Sequence, residues 1–193
     1  NNLVKPSTGS VYLEDKNVTS AKKRELKQIR SQIGMIFQTF NLVNRSTVLK
    51  NVLTGRLSNI STFRSILGLW PKEQKQMAFE ALNQVEILEK AYVRASNLSG
   101  GQQQRVGIAR ALSQKPKVML ADEPVASLDP ITSRVVMSYL KKINTELGIT
   151  TIVNLHFLDL AKEFGDRLIG LRDGKLVFDG NVNDVSDEDF ENI

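Results

Sequence analysis

The sequence predicts an α/β fold, a mainly parallel sheet with helices over both faces. Three observations predict it. Short apolar runs at residues 33–38, 117–122 and 149–155 have the length and the aliphatic or β-branched content of buried strands. The last two each follow a stretch with helical periodicity, and strand, helix, strand at this spacing requires crossovers and a parallel sheet. The chain then closes on RLIGLRDGKLVFDG, where Asp173-Gly174 is a two-residue turn signal between apolar strands, so a hairpin is expected there.

Taken in order, VYLEDKNV (11–18) alternates poorly and carries a turn-like Glu-Asp-Lys-Asn, which reads as a strand end and a turn. IGMIFQ (33–38) is an apolar run ended by polar residues, a buried strand. From 47 to 90 the pattern turns helical. TVLKNVLTGRL comes first, then a loop around Gly68 and Pro71, then KEQKQMAFEALNQVEILEK, with Met77, Ala78, Ala81, Leu82, Val85 and Leu88 on one face. Ser99 sits where an N-cap belongs, and Ile108, Ala109, Ala111 and Leu112 mark the stripe of the helix that follows. KVMLAD (117–122) is a strand that Pro124 stops. ITTIVNL (149–155) is the next, and no repeat or low-complexity linker breaks the series.

Composition narrows the class. With 193 residues, 41% of them hydrophobic, the chain is long enough to bury a core without staples. The absence of Cys excludes disulfides, thiolate zinc sites and cysteine nucleophiles. No apolar run approaches the roughly 18 residues that span a bilayer, and NNLVKPSTGS lacks the layout of a signal peptide, so a cytoplasmic location is expected. The formal charge of +5 hides an asymmetry: Asp173, Asp179, Asp184, Asp187, Glu188, Asp189 and Glu191 crowd the end of the chain beside one base, Lys175. The densest basic stretch, AKKRELKQIR (21–30), sets Lys22, Lys23, Arg24, Lys27 and Arg30 against Glu25. It reads as a solvated helix face or as a surface for an anion, lipid headgroups or nucleic acid, and no aromatic residues interleave to stack bases.

The chemistry concentrates between residues 97 and 130. Gly100 and Gly101 behind Ser99 leave bare N–H groups at the positive end of a helix, open to a phosphate, or else form a capped helix with a flexible lead-in. The strand at 117–122 delivers Asp122 and Glu123 side by side at its carboxyl end, where open α/β sheets bind ligands. Two carboxylates there can divide labour, Asp122 holding a metal and Glu123 orienting an attacking water, or they can be a solvated strand end. Gln38 ends a strand with an amide that both donates and accepts. His156, the single histidine, ends another.

Leu98-Ser99-Gly100-Gly101-Gln102, then Val118-Met119-Leu120-Ala121-Asp122-Glu123-Pro124, then Ser127-Leu128-Asp129, in that order and spacing, resemble the signature motif, Walker B strand and D-loop of ABC-type ATPases. Gln38 resembles the Q-loop glutamine and His156 the switch histidine. The resemblance spans essentially the whole chain. It implies a P-loop NTPase-like three-layer core (1–39 and 98–193), a helical subdomain at about 40–97, and ATP and Mg²⁺ as cofactors. Glu123, His156 and Gln38 would serve catalysis, with Asp122 and Gln38 at the metal. Ser99, Gly100, Gly101, Gln102 and Asp129 would face nucleotide held by a second ATPase subunit packed head to tail, and Asp129 could equally cap the helix that starts near Ile131.

The family's phosphate-binding loop, GxxxxGK[ST], is not found: Gly174-Lys175 is followed by Leu176 and lies in the hairpin. NNLVKPSTGSVYLEDKNV resembles the segment just after that loop's helix. The expectation is therefore an N-terminally truncated ABC ATPase, lacking its first strands and phosphate loop, that alone binds ATP weakly or not at all and is inactive. NLVNRSTVLKNVLTGRL, STFRSILGLWPKEQKQMAFEAL and VNLHFLDLAKEFGDRLIGLRDGKLVFDG are most similar to the ATPase subunits of bacterial phosphonate importers. That implies transmembrane permease subunits and an extracytoplasmic substrate-binding protein as partners, a peripheral place on the cytoplasmic face of the inner membrane, and no nucleic acid. The alternatives are a phosphate or amino-acid importer, or a non-transport ABC module acting on nucleic acid or the ribosome.

Overall fold

The computed structural model describes residues 1–185, so Asp187, Glu188, Asp189 and Glu191 of the acidic end lie outside the described residues. In chain order the elements are β1 (Tyr12–Leu13), β2 (Lys16–Asn17), α1 (Lys23–Arg30), β3 (Ile33–Ile36), α2 (Val48–Leu53), α3 (Thr62–Ile66), α4 (Lys72–Gln84), α5 (Gly100–Leu112), β4 (Val118–Asp122), α6 (Pro130–Leu147), β5 (Thr150–Asn154), α7 (Leu158–Phe164), β6 (Arg167–Arg172) and β7 (Lys175–Asn181). Strands β3, β4 and β5 form one parallel sheet in that order, with Ile36 paired to Ala121 and Asp122 to Asn154. Parallel pairing sends all three carboxyl ends to one edge. This α/β architecture is the one the sequence predicts.

The sheet is covered unequally. Met119 and Ala121 of β4 are buried with Val136, Met137 and Leu140 of α6 and with Val106, Ile108 and Ala109 of α5. Gly34 of β3 shows how close α5 comes, since a Cβ there would lie 3.1 Å from Pro116 Cγ and 3.4 Å from Ala111 Cβ. On the opposite face, α1 packs Ile29 against Ile33 in a second cluster with Val18. Covering on both faces was expected, but beyond α1 the row Met35, Leu120, Ile152 ends on an Ile152 that is 58% exposed. Neither α5 nor α6 reaches that row, because period-2 alternation points it away from them.

The helical region between β3 and α5 is more broken than its periodicity suggests. Thr47 caps α2, accepting from the Lys50 N–H at 3.3 Å, and Ser61 caps α3. Between them residues 54–59 tighten into 3₁₀ turns. In α4, Ala78, Ala81 and Leu82 are buried as predicted, but the helix stops at Gln84 and Glu86 adopts φ +52°. That break changes the phase, so Ile87 is buried and Leu88, expected on the inner face, is 40% exposed.

Two turns are cleaner than expected or as expected. VYLEDKNV forms a whole two-stranded hairpin rather than a strand end, turning at Glu14 with φ +51°. Lys117 holds Glu14 from before β4 at 2.6 Å, and the lysine keeps the Glu14 carboxyl below its ordinary range. Asp173 and Gly174 both have positive φ (50° and 73°), the left-handed pair that a tight hairpin demands between β6 and β7. Among the described residues no helix is long and apolar enough to cross a membrane.

Candidate functional site

The carboxyl edge of the sheet gathers five polar side chains from three strands. Gln38, two residues beyond β3, donates its amide to Glu123 Oε2 at 2.9 Å. His156, two residues beyond β5, lies with Nε2 2.7 Å from Glu123 Oε1. Glu123 itself, one residue beyond β4, takes φ +45°, which turns its side chain out of the strand's alternation. Asp122 accepts from the Asn154 side chain at 3.0 Å. Residues 85 and 33 positions from Glu123 in sequence thus meet on its two oxygens.

The setting separates the two carboxylates. Glu123 is only 24% exposed at its side chain, while Asp122 is open to solvent. An exposed carboxylate with one oxygen engaged by a neutral amide retains lone pairs for a hard cation, and Gln38 keeps its carbonyl oxygen free of the bond that its NH₂ makes. Among the described residues no cluster of three or more His, Asp or Glu forms a protein-only cage, so a divalent cation here would share its shell with phosphate and water. Asp122 and Gln38 fit that kind of site.

The segment after Gln38 is pinned from two sides. Arg110 of α5 donates to the Asn41 carbonyl at 2.6 Å and to the Phe40 carbonyl at 3.0 Å. Burial lowers its pKa, yet a guanidinium stays charged. Asn51 of α2, 2% exposed, accepts from the Val43 N–H at 2.7 Å and donates to the Val43 and Thr47 carbonyls. The main chain just beyond Gln38 is therefore held by both α2 and α5.

The signature segment stands apart from this cluster. Ser99 caps α5: its hydroxyl accepts from the Gln102 N–H, and Gln102 Oε1 accepts from the Ser99 N–H at 3.0 Å. The Gln102 side chain is thus engaged at home, while Ser99 keeps its hydroxyl proton to donate. The glycines also have a packing reason: a Cβ at Gly100 would lie 3.3 Å from Leu128 Cδ2, and one at Gly101 would overlap Thr132 Cγ2. Ser99, Gly101 and Gln102, with Arg105, Ile131 and Thr132, line a cleft of about 200 Å³ between α5 and α6.

Asp129 accepts from the N–H groups of Ile131 and Thr132 at 3.1 and 3.0 Å, capping α6. Hydrogen bonds from the Thr132 hydroxyl and then its N–H hold the Asp129 carboxyl below the ordinary aspartate value. A depressed folded pKa adds stability that is present above the unfolded value and lost as pH falls through the folded one. The melting gap between the parent protein and Asp129→Ala should therefore close on acidification below the ordinary aspartate range. A gap that stays constant through that range would remove the cap from the acid response.

Sequence reasoning named Gln38, Asp122, Glu123 and His156 and missed Asn154, Arg110 and Asn51. Asn154 was discoverable, since it ends a strand two residues before His156. Arg110 was not, because its partners lie 69 and 70 residues away and are main-chain carbonyls.

A family model described as ABC transporter matches residues 1–126. The chain is 56% identical over 193 residues to the phosphonates import ATP-binding protein PhnC 3 of Halalkalibacterium halodurans, and 58% identical to PhnC of Bacillus thuringiensis subsp. konkukian. Both alignments cover 100% of this chain and 75% of the relative. Among solved structures it resembles a dimeric post-hydrolysis state of an ATP-binding cassette bound to ADP and Pi, with TM-score 0.77 and 37% identity over 93% of this chain and 76% of that one. It also resembles cbiO1 of Clostridium perfringens, part of the transporter complex cbiONQ, with TM-score 0.81 and 28% identity over 94% and 69%.

Proposed function

Because the chain belongs to the ABC transporter family, we propose that it is the ATP-hydrolysing subunit of an import complex for phosphonates. The observation that carries this reading is Glu123, held between Gln38 and His156 beside Asp122 at one edge of a parallel sheet.

The proposed roles follow from that placement. Asp122, with the Gln38 carbonyl, would hold Mg²⁺, which would supply charge neutralisation at the phosphates of ATP. Glu123 accepts the proton of a water whose oxygen bonds to the γ-phosphorus while the bond to the bridging β–γ oxygen breaks, giving ADP and inorganic phosphate. Both Glu123 oxygens are engaged here, so water must displace or join one of the two partners. His156, mostly exposed beyond β5, is free to leave Glu123 for a phosphate oxygen. Ser99, Gly100 and Gly101, with the Ser99 hydroxyl and the bare start of α5, face nucleotide on a second subunit packed head to tail, and Gln102 supports them by holding the cap. Asp129 sets the start of α6 beside them, at the same subunit boundary.

In this reading residues 1–39 and 98–193 form the nucleotide core. Residues of about 40–97 form a helical subdomain that, through the pinned loop after Gln38, transmits closure to transmembrane permease subunits. The complex sits peripherally on the cytoplasmic face of the inner membrane, and an extracytoplasmic binding protein selects the substrate. The test is ATP turnover of the transporter reconstituted in vesicles with its binding protein. Turnover should rise severalfold with a phosphonate and stay at the basal rate with phosphate or an amino acid. Stimulation by either of those instead would reassign the substrate.

A further inference from the structure

Among the described residues, Asn154 is the side chain that hydrogen-bonds the Asp122 carboxylate, and its backbone also bonds Glu123. Asp122 and Asn154 are register partners at the ends of β4 and β5. Alternation along both strands puts their side chains on the face opposite the buried Met119 and Ala121. The Asn154 amide donates to Asp122 Oδ1 at 3.0 Å, and its main-chain carbonyl accepts the Glu123 N–H at 3.1 Å. One residue therefore orients the first carboxylate and anchors the backbone at the point where the second adopts φ +45°.

The residue type matters as much as the contact. An unheld aspartate at a strand end samples several rotamers, and a cation that binds it must order it first. A lysine or arginine in place of Asn154 would order the carboxylate but also neutralise it and compete with the cation. A carboxamide orders it at no cost in charge, occupying one lone pair of Oδ1 and leaving the other oxygen open. Outer-shell partners of this kind characteristically orient carboxylate ligands.

We propose that Asn154 is a positioning residue for the divalent cation of this site: it holds the Asp122 carboxylate in a binding-ready orientation while preserving its negative charge. The proposal rests on the assignment of Asp122 to the cation. Asn154 is exposed, so replacing it removes no core packing. The experiment measures Mn²⁺ bound to the ATP-loaded transporter by electron paramagnetic resonance, alongside the Mn²⁺ dependence of turnover and the melting temperature. Asn154→Leu, close in shape but without a donor, and Asn154→Ala should each weaken Mn²⁺ binding by about tenfold. Turnover of both should return toward the parent value at saturating Mn²⁺. Asn154→Lys, which keeps a donor but neutralises Asp122, should weaken binding at least as much as Asn154→Ala. Asp122→Asn is the control. If it lowers Mn²⁺ affinity while Asn154→Leu and Asn154→Ala leave affinity unchanged, the role of Asn154 is overturned. If Asp122→Asn itself leaves affinity unchanged, the failure lies with the assignment of Asp122.

Discussion

Glu123→Gln is expected to lower ATP turnover of the assembled transporter by about 10²–10⁴-fold, the span that a positioned general base contributes, while ATP binding stays near the parent value. The substitution keeps the side-chain length and leaves one carbonyl oxygen to accept from Gln38 or His156. What it removes is the ability to take a proton from water and the negative charge that polarises that water. Nucleotide affinity should not depend on either, because the hydrogen bonds of the Glu123 carboxylate go to Gln38 and His156 and it would approach phosphate through the water. Measuring ATP binding by equilibrium titration and turnover by phosphate release separates the two effects. Undiminished turnover would take Glu123 out of the chemistry. An equal loss in binding and turnover would mean instead that the residue acts on the ground state.

The same cluster shows which parts of the site were legible beforehand. Gln38, Asp122 and His156 could be set at one edge because each ends or follows a short apolar strand, and parallel strands bring their carboxyl ends together whatever lies between them. That argument gives the edge, but what singles out Gln38 and His156 there is the resemblance to ABC-type ATPases, since a strand-end glutamine or a lone histidine carries no signal of its own. Arg110 was hidden because its function is to bind the carbonyls of Phe40 and Asn41, and carbonyls leave no mark in a sequence. The glycines of the signature read as an open phosphate cradle or as the flexible lead-in of a capped helix, with no packing role in either reading. Their second reason, the approach of Leu128 to Gly100 and of Thr132 to Gly101, exists only once α6 has packed beside α5. Leu88 failed for a related reason: Glu86 leaves the helical region of backbone space, and a periodicity argument cannot see its own phase break. The apolar pattern thus located the site, while long-range packing decided how stiffly each part is held.

Two glycines, one inside α5 and one packed against it, should respond in opposite directions to the same substitution. In Gly107→Ala, inside α5, the new methyl group would lie 3.8 Å from Gln104 Oε1 and 4.0 Å from the Phe40 carbonyl oxygen, both ordinary contacts. The helix then gains the propensity difference between Ala and Gly, so stability should rise by about 0.5–1 kcal/mol. In Gly55→Ala, in the 3₁₀ turns after α2, the methyl group would lie 2.5 Å from Ser113 Oγ and overlap the Arg110 carbonyl oxygen. That oxygen belongs to the backbone of α5 and cannot rotate aside, and Ser113 is fixed by bonds to the Val52 and Arg110 carbonyls. The 3₁₀ segment must therefore back away from α5, at a cost of about 3 kcal/mol or more, the upper part of the range for overpacking. The displacement also strains the nearby bonds of Arg56, which joins the Gln74 side chain to the Ser113 carbonyl at 2.8 Å each. Chemical denaturation of the two variants beside the parent measures both shifts, and a stabilising or neutral Gly55→Ala would refute the close approach of this turn to α5. Since Arg110 holds the loop after Gln38 from the same turn of α5, Gly55→Ala should also lower turnover more than its loss of stability alone requires, whereas Gly107→Ala should not.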